Sequence, residues 1–345
     1  MKFSPGWPSP VRGGRTNRRN IAAVTVAAVA MALLAAGCQA HTTASEGAGI
    51  SGSSQLTVAA TPGVADAPLY LAARDGLFAR AGLRVTIESS NSASSELHAL
   101  TAGTIDVASS DYADFFSVEG NDSDLLIVAD GYDAAPNVME VLTLPGSGIT
   151  TPQDLVGKTI GTPEPQEFPF NASTPYSLDT MATQSVLLND GVEPTQVSWK
   201  PMPSQDLVGA LKSGQVNAIV VTEPYIFQAE SQLGATEVLD SLSGATANLP
   251  LSGYFTRSSF ARKNADPLRI FRSVLLQAEA EAAAGNDVRS VLADSSQMNT
   301  QTAAMVTLGL YPTSLNVNGV QQVADLMYDF GMLAQALNVS SMIFH

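Results

Sequence analysis

The residue types that could do covalent or metal chemistry are few and scattered. The 345-residue chain has one cysteine, Cys38, and three histidines, His41, His98 and His345. No nucleophile stands beside a base, and no His/Cys set has metal-ligand spacing. No Gly-x-x-x-x-Gly-Lys-Ser/Thr loop is present to cradle a phosphate. The pattern predicts no catalytic residue, no metal and no cofactor. What recurs is short polar clusters placed directly after apolar runs: Thr61-Pro62-Gly63, Ser92 to Ser94, Ser109-Ser110-Asp111, Thr162 to Glu164, the stretch 168–176 with Thr174, and Thr222-Glu223-Pro224-Tyr225. Such clusters suit non-covalent capture of a small molecule. Hydroxyls and amides at helix starts can receive an anion without arginine. Tyrosine, with Asp66, Asp111, Glu164 and Glu223 near by, can equally hold a neutral or cationic aromatic ligand. Pro68 and Tyr70, which open the helix after the first cluster, complete the candidate set. Plainer roles compete: Ser94 and Thr222 as helix caps, Pro224 as a structural turn, Tyr70 as core.

The elements that must position these clusters alternate. Leu56 to Ala59 reads as a strand, Pro68 to Ala81 as a helix closed by Gly82, and Leu83-x-Val85-x-Ile87 as a second strand. A helix at Ser94 to Ala102 and strands at Ile105 to Ala108, Leu125 to Ala129 and Val138 to Leu144 follow. The series restarts after Pro145-Gly146: strand 158–161, helix Leu178 to Asn189, strand 197–199, helix Ser204 to Ser213, strand Ala218 to Val221. Strands alternating with helices predict α/β layers with a largely parallel sheet. One echo ties the two halves together. His98 to Ala108 ends in Ser109-Ser110-Asp111-Tyr112, and Gly209 to Ile219 leads to Thr222-Glu223-Pro224-Tyr225. Both read as helix, glycine stop, buried strand, then a polar cluster with tyrosine. In open α/β sheets ligands sit outside the carboxyl ends of the strands, so two such edges can face each other across a cleft. The last hundred residues are mostly helical. Asp266-Pro267 marks a helix start, and the apolar stripes Leu268/Phe271/Leu275/Ala278 and Val323/Leu326/Phe330/Leu333/Leu337 read as core.

The ends of the chain carry a different message. Residues 1–20 contain Lys2, Arg12, Arg15, Arg18 and Arg19 and no acidic residue, and 21–36 are small and apolar. That is the layout of an export signal, too short for the ~20 residues of a spanning helix. Gly37-Cys38 closes it, and the segment Leu33 to Cys38 resembles a bacterial lipobox, with Ala35 where that pattern usually has Leu. The resemblance implies cleavage before Cys38 and lipidation of its thiol, which accounts for a lone cysteine in an exported chain. Residues 39–55, rich in Ser, Gly, Ala and Thr, read as a flexible tether. The full chain carries 17 basic and 32 acidic residues, a net charge of -15. Loss of the five basic residues of the signal takes it to -20. Such a surface repels nucleic acid and anionic lipid.

The stretch Ala67-Pro68-Leu69-Tyr70-Leu71-Ala72, running on through Asp75-Gly76-Leu77-Phe78-Ala79-Arg80-Ala81-Gly82-Leu83, resembles the solute-binding proteins of the nitrate, sulfonate and taurine type, which share a fold with the THI5-like pyrimidine binders. The likeness continues through Leu100 to Ala108, Asp154 to Gly161, Leu211 to Ala218 and the turn Glu223-Pro224-Tyr225. It implies a two-lobe type II periplasmic-binding fold, each lobe a mixed, mostly parallel sheet flanked by helices. Residues 1–37 would be the signal, 38–55 the tether, 56–144 with 250–345 one lobe, and 145–249 the other. The chain would cross near Leu142 to Pro145 and near Leu249 to Phe255. The implied activity is ligand capture for an ABC permease and its ATPases, by a monomer held outside the cell on a lipidated Cys38. The implied ligand is sulfonate-like, or aromatic or heterocyclic. The Trp-rich motif that pyrimidine binders carry after the first strand is here Thr61-Pro62-Gly63-Val64-Ala65-Asp66. An enzyme on the same fold, of the pyrimidine-synthase or chorismate-dehydratase kind, and a sensing lipoprotein without a transporter are the alternatives.

Overall fold

Among the described residues, ten strands build two five-stranded sheets of the same design. The computed structural model describes residues 54–89, 93–119, 124–164, 177–285, 287–296 and 298–345. The segment expected to be the signal, Cys38 and most of the expected tether fall outside the described residues, as do Ser92 and Thr174. The strands are β1 (Ser54–Ala60), β2 (Leu83–Ser89), β3 (Val107–Asp111), β4 (Leu125–Asp133), β5 (Met139–Thr143), β6 (Thr159–Pro163), β7 (Ser198–Met202), β8 (Ala218–Thr222), β9 (Thr236–Asp240) and β10 (Pro250–Arg257). The helices are α1 (Ala67–Arg74), α2 (Leu77–Arg80), α3 (Ala93–Ala102), α4 (Tyr112–Glu119), α5 (Leu178–Asn189), α6 (Ser204–Ser213), α7 (Tyr225–Leu233), α8 (Ser258–Ala261), α9 (Ala265–Ala283), α10 (Val288–Ser295), α11 (Thr300–Met305) and α12 (Val317–Asp329).

The first sheet has the order β2-β1-β3-β10-β4 and the second β7-β6-β8-β5-β9. In each, the first three strands are parallel and the fourth runs against both neighbours. The reversed strand, β10 in one sheet and β5 in the other, is the one the chain lays down on arriving from the other lobe. This moves the first crossing. Sequence alone placed it at Leu142 to Pro145, but β5 pairs with β8 and β9, so the chain has already crossed within 134–138. The return crossing lies within 241–249. Hydrophobicity could not decide this, because an all-buried strand looks the same in either sheet.

The helix expected over 68–81 is two helices. Gly76, at φ +68, turns the chain out of helical geometry between α1 and α2, a conformation that a side chain with a Cβ resists. The helix start expected at Asp266-Pro267 lies slightly earlier, with Asn264 flanking Ala265. In the first lobe the sheet is packed on both faces. Phe78 stacks on Phe271 at 5.6 Å on one, and Phe115 on Phe255 at 4.2 Å on the other. All four rings are buried, and truncating a ring in such a core costs about 3–5 kcal/mol. In the second lobe Leu207, Leu211 and Ile226 pack on Ile219 and Val221 of β8. The echo between the halves is structural as well: α3-β3-α4 and α6-β8-α7 occupy matching places, with β3 and β8 third in their sheets. The ends of these two strands carry the polar clusters that face the cleft.

Candidate functional site

The carboxyl ends of β1, β3, β6 and β8 open onto one interlobe space with two connected compartments. The inner one encloses about 280 Å³ and the outer about 930 Å³, and both are lined by Val64, Ala65, Asp111, Glu223 and Ser252. The pocket sizes match those of small-molecule sites.

The first lobe supplies the outer floor. Thr61, Pro62 and Gly63 follow β1 and line the outer compartment. The Thr61 hydroxyl donates to Glu96 Oε1 at 2.8 Å. Burial pushes Glu96 up to about 9, and the charge of Asp66 adds to this. Asp66, 5% exposed, accepts from the Ser109 hydroxyl at 2.7 Å and the Tyr254 hydroxyl at 2.8 Å, both on Oδ1. Burial lifts it to about 6 against the pull of those two bonds. Ser110 is buried at the end of β3, lines the outer compartment, and its hydroxyl has no hydrogen-bond partner among the described residues.

Asp111 stands between the compartments. Its Oδ1 accepts from the backbone N–H of Asp114 at 2.7 Å, closing the first turn of α4. Burial raises Asp111 to about 6. Asp114 lines the inner compartment, is 5% exposed, and its Oδ2 has no partner among the described residues. Burial, then the charges of Asp111, Asp179 and Glu96, push its pKa well up. Asp179, in the first turn of α5, faces the same space and is raised to about 7 by burial and by Asp111.

The second lobe contributes Glu164, Thr222, Glu223 and Tyr225. Glu164 and Thr222 line the inner compartment, Tyr225 the outer, and Glu223 both. Glu223 is 8% exposed and follows β8. Its Oε2 accepts from the Phe227 N–H at 3.1 Å, at the start of α7, and its Oε1 from the Thr307 N–H at 2.8 Å. Thr307 belongs to the segment that rejoins the first sheet through the bridge between Asp133 and Leu310, so Glu223 ties the lobes together. Burial raises its pKa.

Three sequence candidates stand apart from the cleft. Pro68 is buried in the first turn of α1, and Thr162 is buried within β6. Tyr70 donates to the Ala60 carbonyl at 3.0 Å and lines neither compartment. Ser94 is the second residue of α3. Several lining residues carried no sequence signal. Asp114 and Asp179 lie in the first turns of α4 and α5 and Ser117 one turn further along α4, and Ser252 reaches the site only because β10 pairs with β3 opposite Asp111. Tyr132 and Met139 flank the first crossing. The acidic residue in the first turn of α4 and α5 was the one legible hint.

Residues 65–287 match the model of the NMT1/THI5-like family. Among curated proteins none matches the chain. Among solved structures, the chain is similar to the periplasmic aliphatic sulphonate binding protein SsuA of Escherichia coli, with 19% identity, a TM-score of 0.68, and 84% of this chain and 97% of that one covered. It is similar to the alkanesulfonate-binding protein SsuA of Xanthomonas axonopodis pv. citri bound to MOPS, with 19% identity, a TM-score of 0.66, and 84% and 98% covered. It is also similar to the desulfurization enzyme DszB, with 16% identity, a TM-score of 0.63, and 84% and 96% covered. The two-lobe periplasmic-binding fold is thus common to binding proteins and to an enzyme.

Proposed function

Since the chain belongs to the NMT1/THI5-like family, we propose that it is the solute-capturing component of an ABC importer, working outside the cytoplasm and held to the membrane by a lipid on Cys38. The observation that carries this reading is the cleft itself. Both lobes turn the carboxyl ends of their parallel strands into one lined space, and Glu223 spans the gap to Thr307. A ligand seated there touches both lobes, so its binding favours their closure, and a closed form is what a permease can recognise. Among the described residues no helix is long and apolar enough to cross a membrane.

An enzymatic role has less support. Residues 54–345 contain no cysteine, and their only histidines are His98 and His345, neither of which lines the cleft. The cleft hydroxyls, Ser109 on Asp66 among them, have no histidine beside them to serve as a general base. Residues Ser110, Asp111, Glu164, Thr222, Glu223 and Tyr225 are proposed as ligand contacts, with Thr61, Pro62, Gly63 and Ser109 shaping the outer floor. Native mass spectrometry of the purified protein is expected to reveal a co-purified small molecule. Ser110→Ala and Tyr225→Ala are each expected to weaken its rebinding by about tenfold, a loss of ~1.4 kcal/mol. Unchanged calorimetric affinity in both variants would remove the outer compartment from the site.

A further inference from the structure

The charge of the cleft bears on what it holds. Four helices, α4, α5, α6 and α7, start at its wall, through Ala113, Leu178, Ser204 and Tyr225. Helix starts carry about +0.5 of an elementary charge each and are natural anion sites. At three of the four the chain itself already takes one of these N–H groups, while α6 has no side-chain cap. Asp111 takes the Asp114 N–H, Ser177 takes the Thr180 N–H, and Glu223 takes the Phe227 N–H. Neither compartment is lined by lysine, arginine or histidine. The residues between 54 and 345 outside the description include none of these types either. Arg289, whose charge is felt at Glu223, donates to the carbonyls of Ala303, Ala304 and Val306 and lines neither compartment. Against the helix starts stand Asp111, Asp114, Asp179, Glu164 and Glu223. The carboxylates outweigh roughly two units of helix charge.

We propose that the ligand is an organic cation, its ammonium or guanidinium head received in the inner compartment by Asp111, Asp114 and Asp179 and its apolar body lying against Tyr132, Met139 and Leu251. This rests on the solute-binding reading above. The unpartnered Oδ2 of the buried Asp114 is the acceptor that a donor-rich head would satisfy, since a buried oxygen without a partner is costly. Among the described residues no group of three His, Cys, Asp or Glu is placed to hold a metal ion, so the charge is carried by a molecule. An alkanesulfonate would meet like charge on Asp111 and Asp179 and compete with a side chain of the protein at three of the four helix starts.

Cation binding must displace protons. The groups facing Asp114 and Asp179 are Asp111 from β3, Glu164 just after β6, Glu223 just after β8, Tyr132 from β4 and Glu96 from α3, none of them basic. With Asp111 near 6 and Asp179 near 7, part of this set is protonated at pH 6 when the cleft is empty. A bound cation stabilises the charged forms and expels those protons, so affinity rises with pH between 5 and 7, by up to about tenfold per unit for each proton released.

The test is a matched panel on the full protein: benzylamine, phenethylamine and agmatine, against benzyl alcohol, and against benzenesulfonate and MOPS. Thermal shift is followed by calorimetry at pH 6 in phosphate and in Bis-Tris. Expected are binding of an amine at least tenfold tighter than any panel sulfonate, a buffer-dependent heat showing proton release, and a tenfold or greater loss in Asp179→Asn. The wild-type proton count stands even if that variant folds poorly. Tighter binding of a sulfonate or the alcohol than of every amine overturns the cation and leaves solute binding intact, as does amine binding without proton release. No binding across the panel overturns the cation as well. If, in addition, no small molecule co-purifies, the solute-binding reading falls with it.

Discussion

Glu279 is a side chain whose charge the fold strongly resists. It lies on α9, is 0% exposed, and neither carboxyl oxygen has a hydrogen-bond partner among the described residues. Loss of water, then the charges of Asp130 and Asp133, lift it from 4.5 to about 10. A folded-state pKa above the unfolded one means that the folded chain holds a proton the unfolded chain releases. The contribution is therefore whole below about 4.5 and drains away as pH rises toward 10. The slope is roughly 1.4 kcal/mol per pH unit for one proton, or about 4 kcal/mol between pH 5 and 8. That is a large share of the ~5–15 kcal/mol that holds a domain together. Asp130, raised to about 6, and Asp133, raised to about 7, add slopes of the same sign at lower pH. Glu279→Gln keeps the shape and cannot ionise, but it leaves a buried amide donor unmet at about 1–3 kcal/mol. The variant is expected to be less stable than wild type at pH 5 and more stable at pH 8, with the curves crossing between. Urea unfolding followed by circular dichroism at four pH values, with m-values compared, reads this directly. Parallel stability curves for the two proteins would refute the placement of an ionisable, water-free carboxyl at 279.

Two further outcomes test the rest of the molecule. Gly253→Ala puts a Cβ 2.8 Å from the Tyr112 hydroxyl and 2.9 Å from the Ala129 carbonyl in the middle of the first sheet. It should lower stability by about 1–3 kcal/mol or more, and an unchanged urea midpoint would contradict the packing of β4 and β10 around it. Cys38→Ser should move the protein from the membrane to the soluble fraction, because one sulfur is its only acyl acceptor of this kind. Retention on the membrane after that change would end the lipid-anchor proposal.

Much of the layout could be read along the chain. The alternation of strand and helix patterns, the glycine stops and the duplicated cluster after β3 and β8 are local matters. Propensity and periodicity settle them, and α5 and α6 fall where the pattern put them. The ends Asp111 and Glu223 were legible because a strand's carboxyl end is where such sheets expose polar groups. The crossing at 134–138 was not legible, since strand pairing is a contact between segments far apart in sequence. Nor were Ser252, which depends on β10 lying against β3, or Asp114 and Asp179, which depend on how two helices from different lobes meet.

The amino-acid order by itself determined many of the strands and helices, that the halves repeat one plan, and that basic side chains are scarce. Only the tertiary structure decided that the carboxylates gather in one cleft and that three of its four helix starts are capped by side chains of the protein itself. The reason is physical. Secondary structure answers to neighbours a few residues away, while burial, and with it the cost of a charge, is set by which distant segments come together.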